Sequence, residues 1–186
     1  MFIKALQICT LSLFILTGCS DTKKESVQEI NNMVAKSNFT LTSLEGETFS
    51  IKKEADNFIL KDANTKVVIY DIFGTWCPPC RAEAPHLARL QEKFSDKLKV
   101  IGIAIDPNAS NTTLKEWQET YGAHYSIVNS PDNKTVANAM ASAVRAGENF
   151  PIPLMLMFKD GKYVTHYVGA IPEEMIESDI KRALGE

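Results

Sequence analysis

The chain has 186 residues, is 45% hydrophobic and 23% charged, and carries a formal net charge of −3. Those values fit one globular domain with a real core and exclude a disordered or fibrous chain. No stretch gathers basic residues among aromatics, which argues against nucleic acid as a partner, and no internal repeat or low-complexity tract is visible.

The N-terminus reads as a targeting segment. Met1-Phe2-Ile3-Lys4 supplies a short start with one positive charge, and Ala5 to Leu16 is mostly apolar. That run has the length of a signal-peptide core and is too short to span a bilayer. It ends in Leu16-Thr17-Gly18-Cys19. Small residues before a cysteine resemble the lipobox of bacterial lipoproteins, which implies a signal peptide over 1–18 and a lipid on the Cys19 thiol. An ordinary secretory signal with an incidental cysteine is the alternative. Stable anchoring by acyl chains needs more than one chain. In some Gram-negative bacteria an aspartate directly after the lipidated cysteine retains the protein at the inner membrane. Here Ser20 intervenes before Asp21, so inner versus outer membrane stays open. Residues 19–37 are then the lipidated cysteine and a polar, flexible tether, with room for a short helix over Val27–Val34.

Phe39-Thr40-Leu41-Thr42 and Phe49-Ser50-Ile51 alternate apolar with polar, and Glu45-Gly46-Glu47 supplies a turn between them. The pattern predicts an N-terminal β-hairpin, with Phe58-Ile59-Leu60 as a further short strand and Asp62–Thr65 as a loop. Val67–Phe73 is nearly all apolar, as a central strand buried on both faces must be. A helix follows from about Pro79 to Phe94, with Pro85 inside it and predicted to kink it. Leu98–Ile105 is the next buried strand. Thr113 to Glu116 has capping-box spacing, Leu114, Trp117 and Tyr121 share one helical face, and Gly122 is the stop. Tyr125–Val128 reads as a strand. Asp132 is placed to cap a helix whose apolar face is Val136, Ala139, Met140 and Ala143.

Pro153–Phe158 and Tyr163–Val168 form a predicted hairpin about Asp160-Gly161. Pro172 opens a last helix. Glu173 and Glu174 lie in its first turn and Lys181 and Arg182 in its last, which matches the helix dipole. Ile176, Ile180 and Leu184 would face the sheet. The order is ββ, then β-α-β-α-β-α-β-β-α: an α/β chain with a mixed sheet and helices on both faces.

The chemistry is concentrated in Trp76-Cys77-Pro78-Pro79-Cys80, which follows the central strand and opens a helix. The first cysteine falls at the helix N-terminus, where unpaired N–H groups and the dipole favour negative charge. That stabilises the thiolate, the reactive species. The second cysteine is one turn on, within reach of the first, so the pair can close a disulfide. Pro78 and Pro79 have no N–H to leave unsatisfied, which suits a first helical turn. A Cys-x-x-Cys is also half of a zinc site, but structural zinc needs four ligands. There is no second cysteine pair, and His86, His124 and His166 show no ligand spacing. Near a βαβ pattern the motif reads as a redox dithiol; no metal and no cofactor is expected.

The run Asp71-Ile72-Phe73-Gly74-Thr75-Trp76-Cys77-Pro78-Pro79-Cys80-Arg81-Ala82-Glu83-Ala84-Pro85, with Phe150-Pro151-Ile152-Pro153 and Lys159-Asp160-Gly161, carries a resemblance. Over about residues 39–186 the chain resembles the thioredoxin superfamily and, within it, the TlpA/ResA-like membrane-anchored thiol–disulfide oxidoreductases. The resemblance implies a thioredoxin fold over 38–186 with an N-terminal β-hairpin extension. It implies an exposed Cys77 as nucleophile and a shielded Cys80 that resolves the mixed disulfide. Trp76 would cover the site, or simply pack. Pro153 aligns with the family's cis-proline; Pro151 is the rival, and the apolar strand and Lys159-Asp160-Gly161 follow Pro153 at the expected distance. The family commonly has threonine where this chain has Leu154, and the extended Ala146–Asn149 loop is a place where substrate choice can differ.

Two acids compete for the role of proton acceptor. Asp71 stands where ordinary thioredoxins have an aspartate and TlpA/ResA-like members often have asparagine; a buried carboxyl has a raised pKa and can take the proton of Cys80. Glu83 stands at the family's active-site glutamate position, where a helix-surface charge is the plain alternative. Which is the base stays open. A catalytic His86 is disfavoured, and Met155 and Met157 read as core rather than copper ligands.

With Cys9 in the signal segment and Cys19 lipidated, Cys77 and Cys80 remain for redox chemistry. The leading expectation is an exported, lipid-anchored oxidoreductase of protein thiols and disulfides, on the periplasmic or extracytoplasmic side of a bacterial envelope. The resemblance favours reduction, with cytochrome c maturation as one task and a membrane dithiol electron donor of the DsbD/CcdA type. An oxidant that inserts disulfides is the close rival. A copper-handling protein of this fold would space two cysteines by three residues and add a distal histidine. A thiol peroxidase would need a Pro-x-x-x-Thr-x-x-Cys setting.

Overall fold

A computed structural model of the chain describes residues 36–61 and 63–186. The expected signal peptide over 1–18, the lipidated Cys19, the helix over Val27–Val34, almost all of the tether over 19–37, and Asp62 lie outside the described residues. Among the described residues no helix is long and apolar enough to cross a membrane.

Two sheets form. The first joins β1 (Asn38–Thr42), β2 (Thr48–Glu54) and β3 (Asn57–Leu60) as an antiparallel three-stranded sheet, so the expected hairpin gains Phe58-Ile59-Leu60 as its third strand. The second has five strands in the order β6-β5-β4-β7-β8, with β4 (Val67–Phe73), β5 (Leu98–Ala104), β6 (Ser126–Val128), β7 (Leu154–Lys159) and β8 (Lys162–Val168). β4, β5 and β6 run parallel, and β7 and β8 pair antiparallel to their neighbours. The helices are α1 (Pro78–Phe94), α2 (Asn111–Tyr121), α3 (Asn133–Ala143) and α4 (Glu173–Leu184).

β4 sits at the centre and every one of its residues is buried. Because side chains alternate along a strand, it feeds two separate cores. Val67, Ile69 and Phe73 join Leu87 and Leu90 of α1, Trp117 of α2 and Ile176 and Ile180 of α4. Val68, Tyr70 and Ile72 join Val136 and Met140 of α3 together with Phe39, Leu41, Phe49, Ile51 and Phe58 of the N-terminal sheet. Helices therefore cover both faces, and the N-terminal sheet completes the face that α3 leaves open. Phe58 knits the two sheets: its ring lies 6.5 Å from Phe39 and 5.8 Å from Phe158 of β7.

α2 is capped by Ser110, whose side chain accepts from the Thr113 N–H at 3.1 Å, not by Thr113 as the spacing suggested. Ser110 is itself a strong cap former, so the helix starts one residue beyond it. Gly122 ends α2 in the left-handed region at φ 63°. Asp132 stands at the N-cap of α3 but makes no capping bond; its carboxylate pairs with Lys36 at 2.6 Å instead. α1 runs unbroken through Pro85, whose missing N–H removes one helical bond without ending the helix. The β7–β8 turn places Asp160 and Gly161 at φ 49° and 76°, and a Cβ on Gly161 would lie 2.6 Å from Ile59 of β3.

If the N-terminal sheet is part of the fold's core, Phe58→Ala should lower the unfolding free energy by about 3–5 kcal/mol, the usual range for a buried phenylalanine. Urea unfolding of the oxidised protein measures this; a loss under about 1 kcal/mol would mean that the sheet merely rests on the domain.

Candidate active site

β4 delivers the chain to a short loop, Gly74-Thr75-Trp76, and α1 begins directly after Cys77. Cys77 is the N-cap of α1, with φ −85° and ψ 111°, and its sulfur accepts from the Cys80 N–H at 3.3 Å. With prolines in the first two positions, the Cys80 N–H is the donor that the first turn aims at the sulfur that would carry charge, and the helix dipole acts in the same sense; no acid lies in that turn. Cys77 and Cys80 are joined as a disulfide with Cα atoms 5.3 Å apart.

A clamp holds the loop. Thr75 donates its N–H at 3.0 Å and its hydroxyl at 2.5 Å to the Asp106 carboxylate, just past the end of β5. The Thr75 carbonyl accepts from Arg81 Nε at 2.9 Å and Nη2 at 2.8 Å, and the Arg81 guanidinium lies 5.4 Å from the centre of the Tyr121 ring. Asp106, Thr75, Arg81 and Tyr121 join the site only in the structure. Their pairing joins three elements across the fold, and no local pattern announces it. Trp76 folds back over Gly74, where a Cβ would meet its Cε2 at 2.9 Å, and its indole is 61% exposed. It is a surface flap beside the disulfide rather than a core residue.

The Ile152–Pro153 peptide is cis, and the Ile152 carbonyl oxygen stands 3.6 Å from Cys77 Sγ. The structure therefore brings Pro153, and not Pro151, to the disulfide with the cis bond. Leu154, the residue after it, is fully buried in the α3-side core, so its side chain offers nothing to a substrate. One expectation is corrected. Cys77 was read as exposed and Cys80 as shielded, but both are buried, because the Cys77 sulfur is bonded to Cys80 and lies against the Ile152 carbonyl.

The two acids are buried on the same side of β4 as the cysteines. Asp71 shares the face of β4 that Ile69 and Phe73 present to α1. Its Oδ2 accepts from the Tyr125 hydroxyl at 3.2 Å, and its Oδ1 has no hydrogen-bond partner. Glu83, one turn beyond Cys80 on the buried side of α1, accepts the Ile171 N–H on Oε1 at 3.2 Å and leaves Oε2 unpartnered. Burial pushes both carboxyls above the ordinary range. The neighbouring Asp71 charge pushes Glu83 further up, while the Tyr125 and Ile171 hydrogen bonds pull the other way. Glu83 is thus a buried group and not a helix-surface charge. Tyr125, read from the sequence only as the start of a strand, is part of the same cluster.

Of the remaining candidates, Met155 and Met157 are fully buried core residues, and His86 is half-buried on α1 with an unpartnered Nδ1. The Ala146–Asn149 loop leads to one wall of a cavity of about 690 Å³ whose lining includes Asp106, Asn129, Lys134, Glu148, Asn149 and Phe150 but neither cysteine.

The AhpC/TSA family model matches residues 34–166. The thiol-disulfide oxidoreductase ResA of Bacillus anthracis is 29% identical over 147 residues, covering 73% of this chain and 80% of that protein. A thioredoxin of Bacillus subtilis is 28% identical over 135 residues, covering 73% of this chain and 99% of that protein. Among solved structures, a thioredoxin-family thiol:disulfide interchange protein of Chlorobium tepidum superposes with a TM-score of 0.60 at 25% identity, over 80% of this chain and 94% of its own. A secreted disulfide oxidoreductase of Mycobacterium tuberculosis, homologous to E. coli DsbE, shares the fold with a TM-score of 0.54 at 19% identity, over 82% and 98%.

The buried acids set a pH dependence of stability. Raised folded values mean that the folded protein binds more protons than the unfolded chain, so stability falls as pH rises. The fall begins near pH ~4, where unfolded carboxyls ionise, and ends once the pair has ionised in the folded protein. The oxidised protein should lose on the order of 2 kcal/mol between pH 5 and 8, with one pKa unit worth about 1.4 kcal/mol, and Asp71→Asn should flatten that slope. Urea unfolding at the two pH values reads it; parallel slopes in both proteins would show that Asp71 is already ionised at the lower pH.

Proposed function

The chain belongs to the AhpC/TSA family, as a thiol–disulfide oxidoreductase with a Cys77–Cys80 pair, and we propose that it is a lipid-anchored, extracytoplasmic reductase of protein disulfides. The observation that carries this reading is the disulfide at the head of α1 with the buried carboxyls of Asp71 and Glu83 on the same side of the sheet. In the reduced protein the Cys77 thiolate attacks a substrate disulfide, and one substrate sulfur leaves as a thiolate that water protonates. The Cys80 thiol then passes its proton to the ionised member of the acid pair. Its sulfur bonds to Cys77, and the second substrate thiolate leaves. Two electrons have moved from the dithiol to the substrate, and the protein is left as the disulfide that the structure holds.

Direction follows from charge. A strong oxidant is one whose reduced form is stabilised. Here the helix N-terminus favours a Cys77 thiolate, but buried negative charge beside the sulfurs disfavours it, which destabilises the reduced pair and supports a reductant. Trp76 would shelter the mixed disulfide, and Pro153 would present the Ile152 backbone to an extended substrate segment. Residues 38–186 are the thioredoxin-like domain in this reading, carried by the tether over 19–37 on a lipidated Cys19 after removal of residues 1–18. A membrane dithiol donor of the DsbD/CcdA type returns the two electrons, and the haem-binding cysteines of apocytochrome c are one fitting substrate.

Equilibration of the protein with dithiothreitol or glutathione tests the direction. A Cys77–Cys80 potential near about −270 mV, in the range of thioredoxin, is expected of a reductase. A value near about −120 mV, that of the oxidant DsbA, would transfer the assignment to disulfide insertion. The anchor is tested separately by labelling cells with a fatty-acid analogue: Cys19→Ser should abolish the label and release the protein from membranes, whereas unchanged labelling would place the lipid elsewhere.

A further inference from the structure

Tyr125 is 54 residues from Asp71 in the chain, and a gap in β5 carries its phenol there. Gly102 stands beside Asp71 in the parallel β4–β5 ladder. A Cβ on Gly102 would lie 2.9 Å from Tyr125 Cε2 and 3.2 Å from the Phe73 ring. The tyrosine ring thus lies across the strand through the space that a side chain at 102 would fill, and its hydroxyl ends on Asp71.

The two buried acids are built alike. Each has one oxygen held by a single donor and one bare oxygen: Tyr125 serves Asp71 Oδ2, the Ile171 N–H serves Glu83 Oε1, and Asp71 Oδ1 and Glu83 Oε2 have no partner. In one desolvated space two carboxyls resist ionising together, so they titrate as a pair. The titratable groups facing Asp71 are Glu83 from α1 and Tyr125 from the segment entering β6, and the cysteines of α1 are buried on the same side of the sheet. Its register partners on β5 and β7 are Gly102 and Met155, which do not titrate. The α4 side contributes only the Ile171 N–H, to Glu83. No cation holds either carboxylate by an ion pair among the described residues.

We propose that Tyr125 is a positioning residue for the redox step: its hydroxyl hydrogen bond to Asp71 matches the one that Glu83 draws from the Ile171 N–H, and so lets Asp71 be the ionised member of the pair while the shared proton stays on Glu83. A phenol O–H directed at a carboxylate favours the charged form, and burial keeps the phenol itself protonated. Asp71 Oδ1 is then the bare, charged oxygen that takes the Cys80 proton as Cys80 displaces the substrate from Cys77. This rests on the reading above that the pair accepts that proton. After the step both carboxyls are protonated, and one proton returns to water.

The test is carboxyl 13C NMR on the full-length oxidised protein, where the cysteines do not titrate. Tyr125→Phe keeps the ring and removes the donor. The Asp71 midpoint is expected to rise by about 0.5–1 pH unit, the shift that one hydrogen bond is worth. The acid limb of single-turnover disulfide reduction should move by the same amount. In an Asp71→Asn background, Tyr125→Phe should leave that limb in place, because the partner is gone. A ring that only packs would alter stability and leave the Asp71 midpoint unmoved, and that outcome overturns the inference. If the midpoint rises but neither Asp71→Asn nor Glu83→Gln changes the rate profile, the Tyr125 assignment stands and the proton-acceptor reading falls.

Discussion

The structure depends on a carboxyl group placed inside a strand that has no exposed residue. β4 lies at the centre of the sheet, buried on both faces, and Asp71 is the one ionisable carboxyl along it. An ionised carboxylate without a partner is among the most expensive things to bury. It is tolerated because burial shifts it toward its neutral form and because it holds one hydrogen bond, from Tyr125. Everything around it is arranged to keep that state. Gly102 leaves room for the tyrosine, and α1 brings Glu83 in from above. A stability-driven sequence would place another valine or isoleucine at 71, so the acid points to chemistry at the end of the strand.

That chemistry sits where two electrostatic influences meet with opposite sign. The first turn of α1 stabilises negative charge on Cys77 through the Cys80 N–H and the helix dipole. The buried acids oppose it. The redox poise of the dithiol is a difference between these influences, and either can be altered without touching a sulfur. The loop between them is held from two sides, by Asp106 on the Thr75 N–H and hydroxyl and by Arg81 on the Thr75 carbonyl. Cys77 therefore takes its place from β5 as much as from its own helix.

What was legible in the sequence was whatever rests on local pattern. The apolar run Val67–Phe73, the Cys-Pro-Pro-Cys string before a helical period, and the hairpin about Asp160-Gly161 each announce themselves within a dozen residues. Pro153 could be chosen over Pro151 because its distance to the following strand is a local count. What was not legible depends on register between distant strands. Tyr125 reaches Asp71 only because Gly102 lies opposite it in the ladder, and nothing near Tyr125 in the chain records that. The caps show the same limit on a smaller scale. Both Ser110 and Thr113 are acceptable N-caps, and the choice of Ser110 falls outside what the capping-box spacing alone decides. Asp132 has the right residue type at the right place, yet Lys36 takes its carboxylate.

The period of two along β4 divides the labour of the domain. Tyr70 and Ile72 point into the core shared by α3 and the N-terminal sheet, where Phe39, Phe58 and Phe158 stack edge and face. Asp71, between them, points to the opposite side, toward α1. One face of the sheet is thus an aromatic, nearly charge-free core that supplies stability. The other holds the disulfide, the tyrosine and two unpaired carboxyl oxygens, and those oxygens cost stability when buried. A shift of β4 by a single residue would exchange the faces, putting a carboxylate among phenylalanines and an aliphatic side chain on the side of the cysteines. The parallel ladder with β5 and the antiparallel ladder with β7 exclude that shift, and the N-terminal sheet adds apolar area to the face that must offset the other.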